Sequence, residues 1–164
     1  MKNRIIFPAI ILLALFTLST KCEKEQASPE KSNLAELQVN LDQTAWFCLD
    51  NCRYNFTFLE GSVTTRRYNA PNDENPLWTC TRSLSQSDWQ SLLGALDLNT
   101  LAQTEATIGC PGCADEPVET LLVKQADFSH EVRMNVQAEV PAIQGLLDEL
   151  RGLAENYKSQ ENCQ

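Results

Sequence analysis

Alternating apolar and polar residues predict two β-hairpins in this chain. Residues 53–59 and 62–68 alternate on either side of a Glu-Gly turn. Residues 118–125 and 129–136 alternate in the same way around an Ala-Asp turn. Because successive side chains of a strand point to opposite faces, each hairpin should have one face suited to burial and one suited to water.

Two other stretches repeat their apolar residues at helical spacing. The first follows Ser85, whose position three residues before Asp88 is typical of a helix N-cap, and we expect it to end near residues 96–98. The second follows Pro141, a residue favoured in the first helical turn, and should reach about Tyr157. The two apolar stripes consist of Trp89, Leu92, Leu93 and Leu96, and of Ile143, Leu146, Leu147, Leu150 and Leu153.

The order of these elements predicts an α+β fold. Strands joined by short turns pair antiparallel, and amphipathic helices must cover one face of the sheet. We expect a two-layer sandwich in which an antiparallel sheet from two hairpins packs against two helices, stabilised by disulfides. Residues 77–84 are a further strand candidate, and residues 34–41 suggest a first element of undetermined type. We assign 44–157 to this single domain and 158–164 to a tail held by a cysteine.

The N-terminus has the pattern of a secretory signal. Lys2 and Arg4 precede an uncharged apolar run over residues 5–18, and small residues follow it. A run of this length spans about 21 Å as a helix, less than the roughly 30 Å of a bilayer core. We therefore assign residues 1–21 to a signal peptide; the alternative is a membrane anchor helix.

Leu18-Ser19-Thr20-Lys21-Cys22 resembles the processing site of bacterial lipoproteins. In that family the cysteine thiol is diacylated and cleavage makes this cysteine the first residue. The resemblance implies lipid, including palmitate, on Cys22, and attachment to the outer or cytoplasmic membrane facing the periplasm or cell surface. Lys21 stands where the family has a small residue. The alternative is ordinary signal cleavage after Ser19 or Thr20.

Charge limits the partners that we expect. The chain of 164 residues carries a net charge of −9, and losing Lys2, Arg4 and Lys21 would change this to −12. Such an acidic chain is a poor ligand for nucleic acid and is repelled by an anionic membrane surface. Residues 22–43 then form the lipid-bearing end and a flexible tether, since 23–33 contain only one apolar residue.

The six cysteines that remain after Cys22 have three interpretations. In an oxidising compartment the plainest is three disulfides among Cys48, Cys52, Cys80, Cys110, Cys113 and Cys163. Their connectivity stays open: Cys48 and Cys52 can pair locally or reach Cys80, the Cys-Pro-Gly-Cys segment can close on itself, and Cys163 can pin the tail to Cys80. The alternatives are thiol redox chemistry at Cys110 and Cys113, or a zinc site from Cys48, Cys52, Cys110 and Cys113.

The remaining residues give no sign of catalysis. His130, the single histidine, lies in an alternating strand and favours a structural role. The acidic residues at 73–74 and 115–119 favour a solvated charge run over a calcium loop. Cys48-Leu-Asp-Asn-Cys52-Arg-Tyr54 is similar to the Cys-x-Gly-x-Cys-Pro-x-Tyr motif of small lipoprotein domains of unknown function, which supplies no catalytic residue.

These features together predict a lipid-anchored protein of the cell envelope. We expect a monomeric, non-catalytic binding or structural module with no cofactor. Its partners would be the membrane, through the N-terminal lipid, and an envelope protein or a small ligand. The alternative is a thiol-redox or zinc-dependent protein that uses the Cys-Pro-Gly-Cys pair.

Overall fold

Six antiparallel strands form one sheet in the computed structural model, which describes residues 36–46, 48–159 and 163. Their order across the sheet is β4-β3-β2-β1-β5-β6. The strands are β1 (Gln38–Thr44), β2 (Arg53–Leu59), β3 (Ser62–Tyr68), β4 (Trp78–Ser83), β5 (Val118–Gln125) and β6 (Phe128–Asn135). The helices are α1 (Gln86–Ala95), α2 (Leu98–Gln103) and α3 (Gln144–Tyr157), and short 3-10 turns occupy Cys113–Asp115 and Pro141–Ile143.

Both predicted hairpins are present, as β2–β3 and β5–β6. Phe56 lies opposite Thr65 in the first, and Leu121 lies opposite Val132 in the second. Gly61 occupies the first turn with a φ of 75°, a left-handed conformation that glycine adopts without a steric penalty. The turn chemistry and the alternation therefore agree on one register.

Strand β1 joins the two hairpins into one sheet, because it pairs antiparallel with both β2 and β5. Residues 38–43 belong to this strand, although the sequence pattern places them with the tether and begins the domain at residue 44. Val39 and Leu41 are fully buried in this strand, while Asn40 between them and Gln38 and Asp42 on either side are polar. A short strand with two buried side chains is hard to distinguish from a linker without its neighbours.

The core lies between the helices and one face of this sheet. Alternate strand residues, including Phe56, Phe58 and Leu121, are fully buried there. The helices contribute the other half of the core with Trp89, Leu92, Leu101, Leu146, Leu147, Leu150 and Leu153. The α+β class and the packing of helices on an antiparallel sheet are thus confirmed.

Helix α2 has no counterpart in the sequence prediction, which ends the first helix near residues 96–98 and names no further element before residue 118. It is only six residues long, and Leu101 is its one buried residue. Asp97 caps it by accepting hydrogen bonds from the N–H groups of Asn99 and Thr100. A helix this short carries too little periodicity to be recognised, and its cap is the only local signal.

The six cysteines of the domain and tail are paired in three disulfides. The bridges join Cys48 to Cys52, Cys80 to Cys163 and Cys110 to Cys113. This resolves the connectivity that spacing left open, and it keeps Cys80 on the buried face of β4. The predicted signal peptide and the lipid acceptor Cys22 lie outside the described residues. Among the residues that are described, no helix is both long and apolar enough to span a membrane.

Candidate functional site

The side of the sheet turned away from the core is covered by polar side chains. We call this side the polar face. It is the consequence of the period-two pattern, which sends every second residue of each strand away from the helices. The residues that define it here are Gln38, Asn40, Asp42, Arg53, Asn55, Thr57, Arg66, Thr120, Lys124, Glu131 and Arg133.

Asp42 organises one half of the polar face. Its carboxylate accepts hydrogen bonds from Arg53 Nε at 2.8 Å, from Thr44 Oγ1 at 2.9 Å and from Asn55 Nδ2 at 3.3 Å. The Arg53 guanidinium also lies 4.7 Å from the centre of the Tyr68 ring. These contacts fix the two charged groups in one arrangement on neighbouring strands.

Asn40 organises the other half. Its Oδ1 accepts from Gln38 Nε2 and Thr57 Oγ1, both at 3.0 Å. Arg66 Nη1 in turn donates to Thr57 Oγ1 and to Asn55 Oδ1. Asn40 is only 9% exposed, and its Nδ2 has no hydrogen-bond partner among the described residues. This nitrogen has almost no accessible surface, so a ligand in the groove does not reach it without a rearrangement of the face.

A groove of about 450 Å³ lies over the middle of the polar face. Trp46, at the end of β1, and Pro71 and Asn72, in the loop between β3 and β4, are among the residues that line it. Trp46 is 41% exposed. Its indole nitrogen lies near Gly112 of the Cys110–Cys113 loop, since a Cβ added to this glycine would lie 3.7 Å from it.

The charge of the polar face is opposite to that of the whole chain. Four basic residues, Arg53, Arg66, Lys124 and Arg133, share this face with the acidic residues Asp42 and Glu131, which gives it a net charge of +2. The chain as a whole carries −9. An anion therefore meets less repulsion at the polar face than the net charge of the whole chain implies.

A second cleft, of about 520 Å³, opens on the helix side of the sheet beside α3. Glu119 lies in it with no exposed surface, and its carboxylate accepts from Gln43 Nε2 at 2.9 Å and from Arg151 at 2.7 and 2.9 Å. The sequence places Glu119 in a solvated charge run, and this is wrong. Glu119 occupies one of the alternate positions of β5 whose side chains point toward the helices. Arg151 compensates its charge there. Because both of its oxygens are engaged by protein donors, we interpret this pair as structural.

The residues singled out by sequence are spread over the domain. Cys110 and Cys113 are exposed in a loop, whereas Cys48 and Cys52 close the connection between β1 and β2. Within the described ranges, no three His, Cys, Asp or Glu side chains are grouped as a metal site requires. The His130 Nε2 atom lies 3.0 Å from the carbonyl oxygen of Thr104, a contact suited to its expected structural role.

The polar face itself is not among the sequence predictions. The alternation indicates that one face of each hairpin is solvated, but not that β1 brings both solvated faces together. The sequence does contain one indication of this face. Four of the basic residues in this acidic chain lie at strand positions whose side chains point away from the core. Comparison with models of known protein families finds no match, and comparison with curated protein sequences finds none either.

Proposed function

We propose that this chain is a lipid-anchored protein of the bacterial cell envelope whose polar face is a non-catalytic binding surface. The anchor would be acyl chains on Cys22. At about 0.8 kcal/mol for each buried methylene, two or more chains hold a protein stably on a membrane. The acidic body would then stand off from the anionic surface, with its polar face available to a ligand.

The observation that carries the proposed binding function is the network on the polar face. Side chains of three central strands hold one another through hydrogen bonds around Asn40 and Asp42. Side chains fixed before a ligand arrives lose less conformational entropy when it binds. A surface that served only to keep the protein in solution would not need this order.

The first experiment measures the intact mass of protein extracted from its own membranes. We expect the mass of residues 22–164 plus acyl chains, and no alkylatable thiol before reduction. A Cys22→Ser variant should lose the acyl mass and leave the membrane fraction. An unacylated mass for the native protein would overturn the anchor, and cleavage after Ser19 or Thr20 would give a mass that identifies it.

The second experiment tests the binding surface in intact cells with a photoreactive amino acid. Glu131 is an exposed position on the polar face, and Gln90 is an exposed position on α1. We expect cross-linked adducts from position 131 and few from position 90. Equal adduct yields, or none from position 131, would contradict a binding role for this face.

A thiol-redox function at Cys110 and Cys113 is the second candidate. It is favoured by one observation, namely that both residues are exposed while paired to each other, so that a reductant can reach the bridge. In this case the Cys110–Cys113 bridge alone should be reduced and reoxidised in the purified protein. A Cys110→Ala/Cys113→Ala variant should lose the thiol-redox activity. Full resistance of the pair to a dithiol reductant would exclude this function.

A further inference from the structure

We infer that the ligand of the polar face is an acidic carbohydrate, one whose sugar rings carry carboxylates. This inference rests on the proposed function, because it needs the polar face to be a binding surface. It goes further in naming the chemical class of the ligand. Charge, hydrogen-bonding chemistry and the position of the groove each contribute to it.

Charge favours an anion. Lys124 and Arg133 are both exposed and lie on β5 and β6, at one side of the groove. On the other side, Arg53 is held by Asp42, and Glu131 shares the groove, so the residues that line it carry a net charge of +1. The two exposed cations at one side of the groove complement a negatively charged ligand.

The uncharged groups favour a ligand rich in hydroxyls. Amide and hydroxyl side chains cover the middle of the face. A hydroxyl group both donates and accepts hydrogen bonds, so it can pair with each of these groups. Trp46 adds a partly exposed ring at the rim, a group that can pack against the apolar side of a sugar ring.

The position of the groove disfavours an acidic peptide. Peptides that bind sheets usually add a strand to an exposed edge. This groove lies over β1, which is paired on both sides, while the edges of the sheet are β4 and β6. The face also offers few large apolar side chains, and such side chains are the usual anchors of a protein interface.

The test is calorimetric titration of the full mature chain with three probes. They are a panel of uronate oligomers from polygalacturonate, alginate and hyaluronate; the same galacturonate oligomer with its carboxylates methyl-esterified; and polyglutamate. We expect binding of at least one uronate oligomer, at least tenfold weaker binding of its ester, and weak binding of polyglutamate.

A matched pair of variants at Thr120 tests whether charge decides the binding. Thr120 is half-buried in the groove on β5. Thr120→Glu adds a carboxylate beside the ligand and should weaken uronate binding about fivefold or more, because like charges repel at short range. Thr120→Gln has the same size without the charge and should have a much smaller effect. Equal losses in the two variants would overturn the acidic character of the ligand.

A second pair controls for the overall charge of the chain. Arg133→Gln removes a cation from the polar face, and Lys158→Gln removes one at the end of α3. We expect about two- to fivefold weaker binding for the first and no change for the second. This comparison keeps the inference falsifiable if a Thr120 variant fails to fold.

The outcomes separate the inference from the proposed function. If the ester or polyglutamate matches the uronate in affinity and its binding still depends on Arg133, the acidic carbohydrate is overturned as the ligand. That result retains the polar face as a binding surface. Binding of uronate that is indifferent to every polar-face variant overturns the acidic carbohydrate as the ligand of this face, and the adducts at position 131 then test the binding face by themselves. No binding of any uronate oligomer overturns the acidic carbohydrate, while adducts at position 131 would still support the binding face.

Discussion

Asp97 illustrates how one residue determines a local structure. This residue lies between α1 and α2 and caps α2. Its carboxylate accepts hydrogen bonds from the Thr100 hydroxyl at 2.8 Å and from the N–H groups of Asn99 and Thr100. The hydroxyl and then the two N–H groups stabilise the charged form, which lowers the pKa of the Asp97 carboxyl from its ordinary value of 3.8. The cap therefore makes the stability of the fold depend on pH at acidic values.

We expect the stabilisation by Asp97 to be lost in acid. Because its pKa is lower in the folded than in the unfolded chain, the contribution is complete above the unfolded pKa and disappears as pH falls through the folded one. Urea midpoints of the native protein and of Asp97→Ala should differ at neutral pH, and the difference should shrink as the pH falls below the unfolded pKa. A constant difference across the range would contradict the prediction.

At the level of elements, α3 is attached to the sheet by polar contacts as well as by its apolar stripe. Arg151 reaches Glu119 on β5 and the carbonyl oxygen of Ala138. At the far end of the helix, Thr65 Oγ1 donates to the carbonyl oxygen of Tyr157, and the Tyr157 hydroxyl donates to Ser83. These contacts set the position of α3 along the sheet, which apolar packing alone specifies less strictly.

Removing Arg151 should destabilise the fold strongly. Arg151→Met leaves the Glu119 carboxylate buried without its counter-charge, a change that typically costs about 3–5 kcal/mol. Lys158→Met, which breaks only the exposed pair with Glu155, should cost less than about 1 kcal/mol. A double variant, Glu119→Met with Arg151→Met, should recover much of the loss. Chemical denaturation measures all three, and similar costs for the two single variants would show that burial of Glu119 does not govern the stability.

The disulfides should differ in their contribution to stability. Cys80 and Cys163 are 83 positions apart, whereas Cys110 and Cys113 are three apart. If a disulfide stabilises the fold by restricting the unfolded chain, the longer loop contributes about 4–5 kcal/mol to the free energy of unfolding. The shorter loop contributes about 2 kcal/mol. We therefore expect Cys80→Ala/Cys163→Ala to unfold at lower urea concentration than Cys110→Ala/Cys113→Ala. The reverse order would mean that loop closure is not what makes these bridges stabilising.

At the scale of the whole molecule, lipid, tether and body have separate physical roles in the proposed function. The acyl chains would supply membrane affinity, and the polar segment 23–33 would supply distance from the surface. The body would present its polar face, whose net charge is opposite to that of the whole chain. Acidity then discourages contact with anionic lipid and directs anionic ligands to a single surface.

Proteolysis within the tether should release a folded body. Membranes treated briefly with a protease that cleaves after Glu should liberate a fragment that begins between residues 24 and 37, since Glu is frequent there. The fragment should leave the membrane fraction and unfold at the same temperature as the intact protein. A fragment that stays with the membrane would contradict the separation of anchor and body.

Much of the fold was predictable because its signals are local. Turn residues and alternation identify β2, β3, β5 and β6, and the Ser85 cap identifies the start of α1. The short helix α2 and the strand β1 were not predictable, because each buries only a few side chains. Of the candidate site, the outward polar positions could be predicted strand by strand, but their assembly into one groove could not.

The sequence by itself determines the types of the longer elements, the α+β class, the acidic charge and the presence of cysteines that can form bridges. All of these depend on residues close together in the chain or on composition. Only the tertiary structure decides that β1 lies between the two hairpins, that Glu119 faces Arg151 and not water, and that Cys80 pairs with Cys163. These are contacts between distant parts of the chain, and their free energy depends on what the fold places beside each residue.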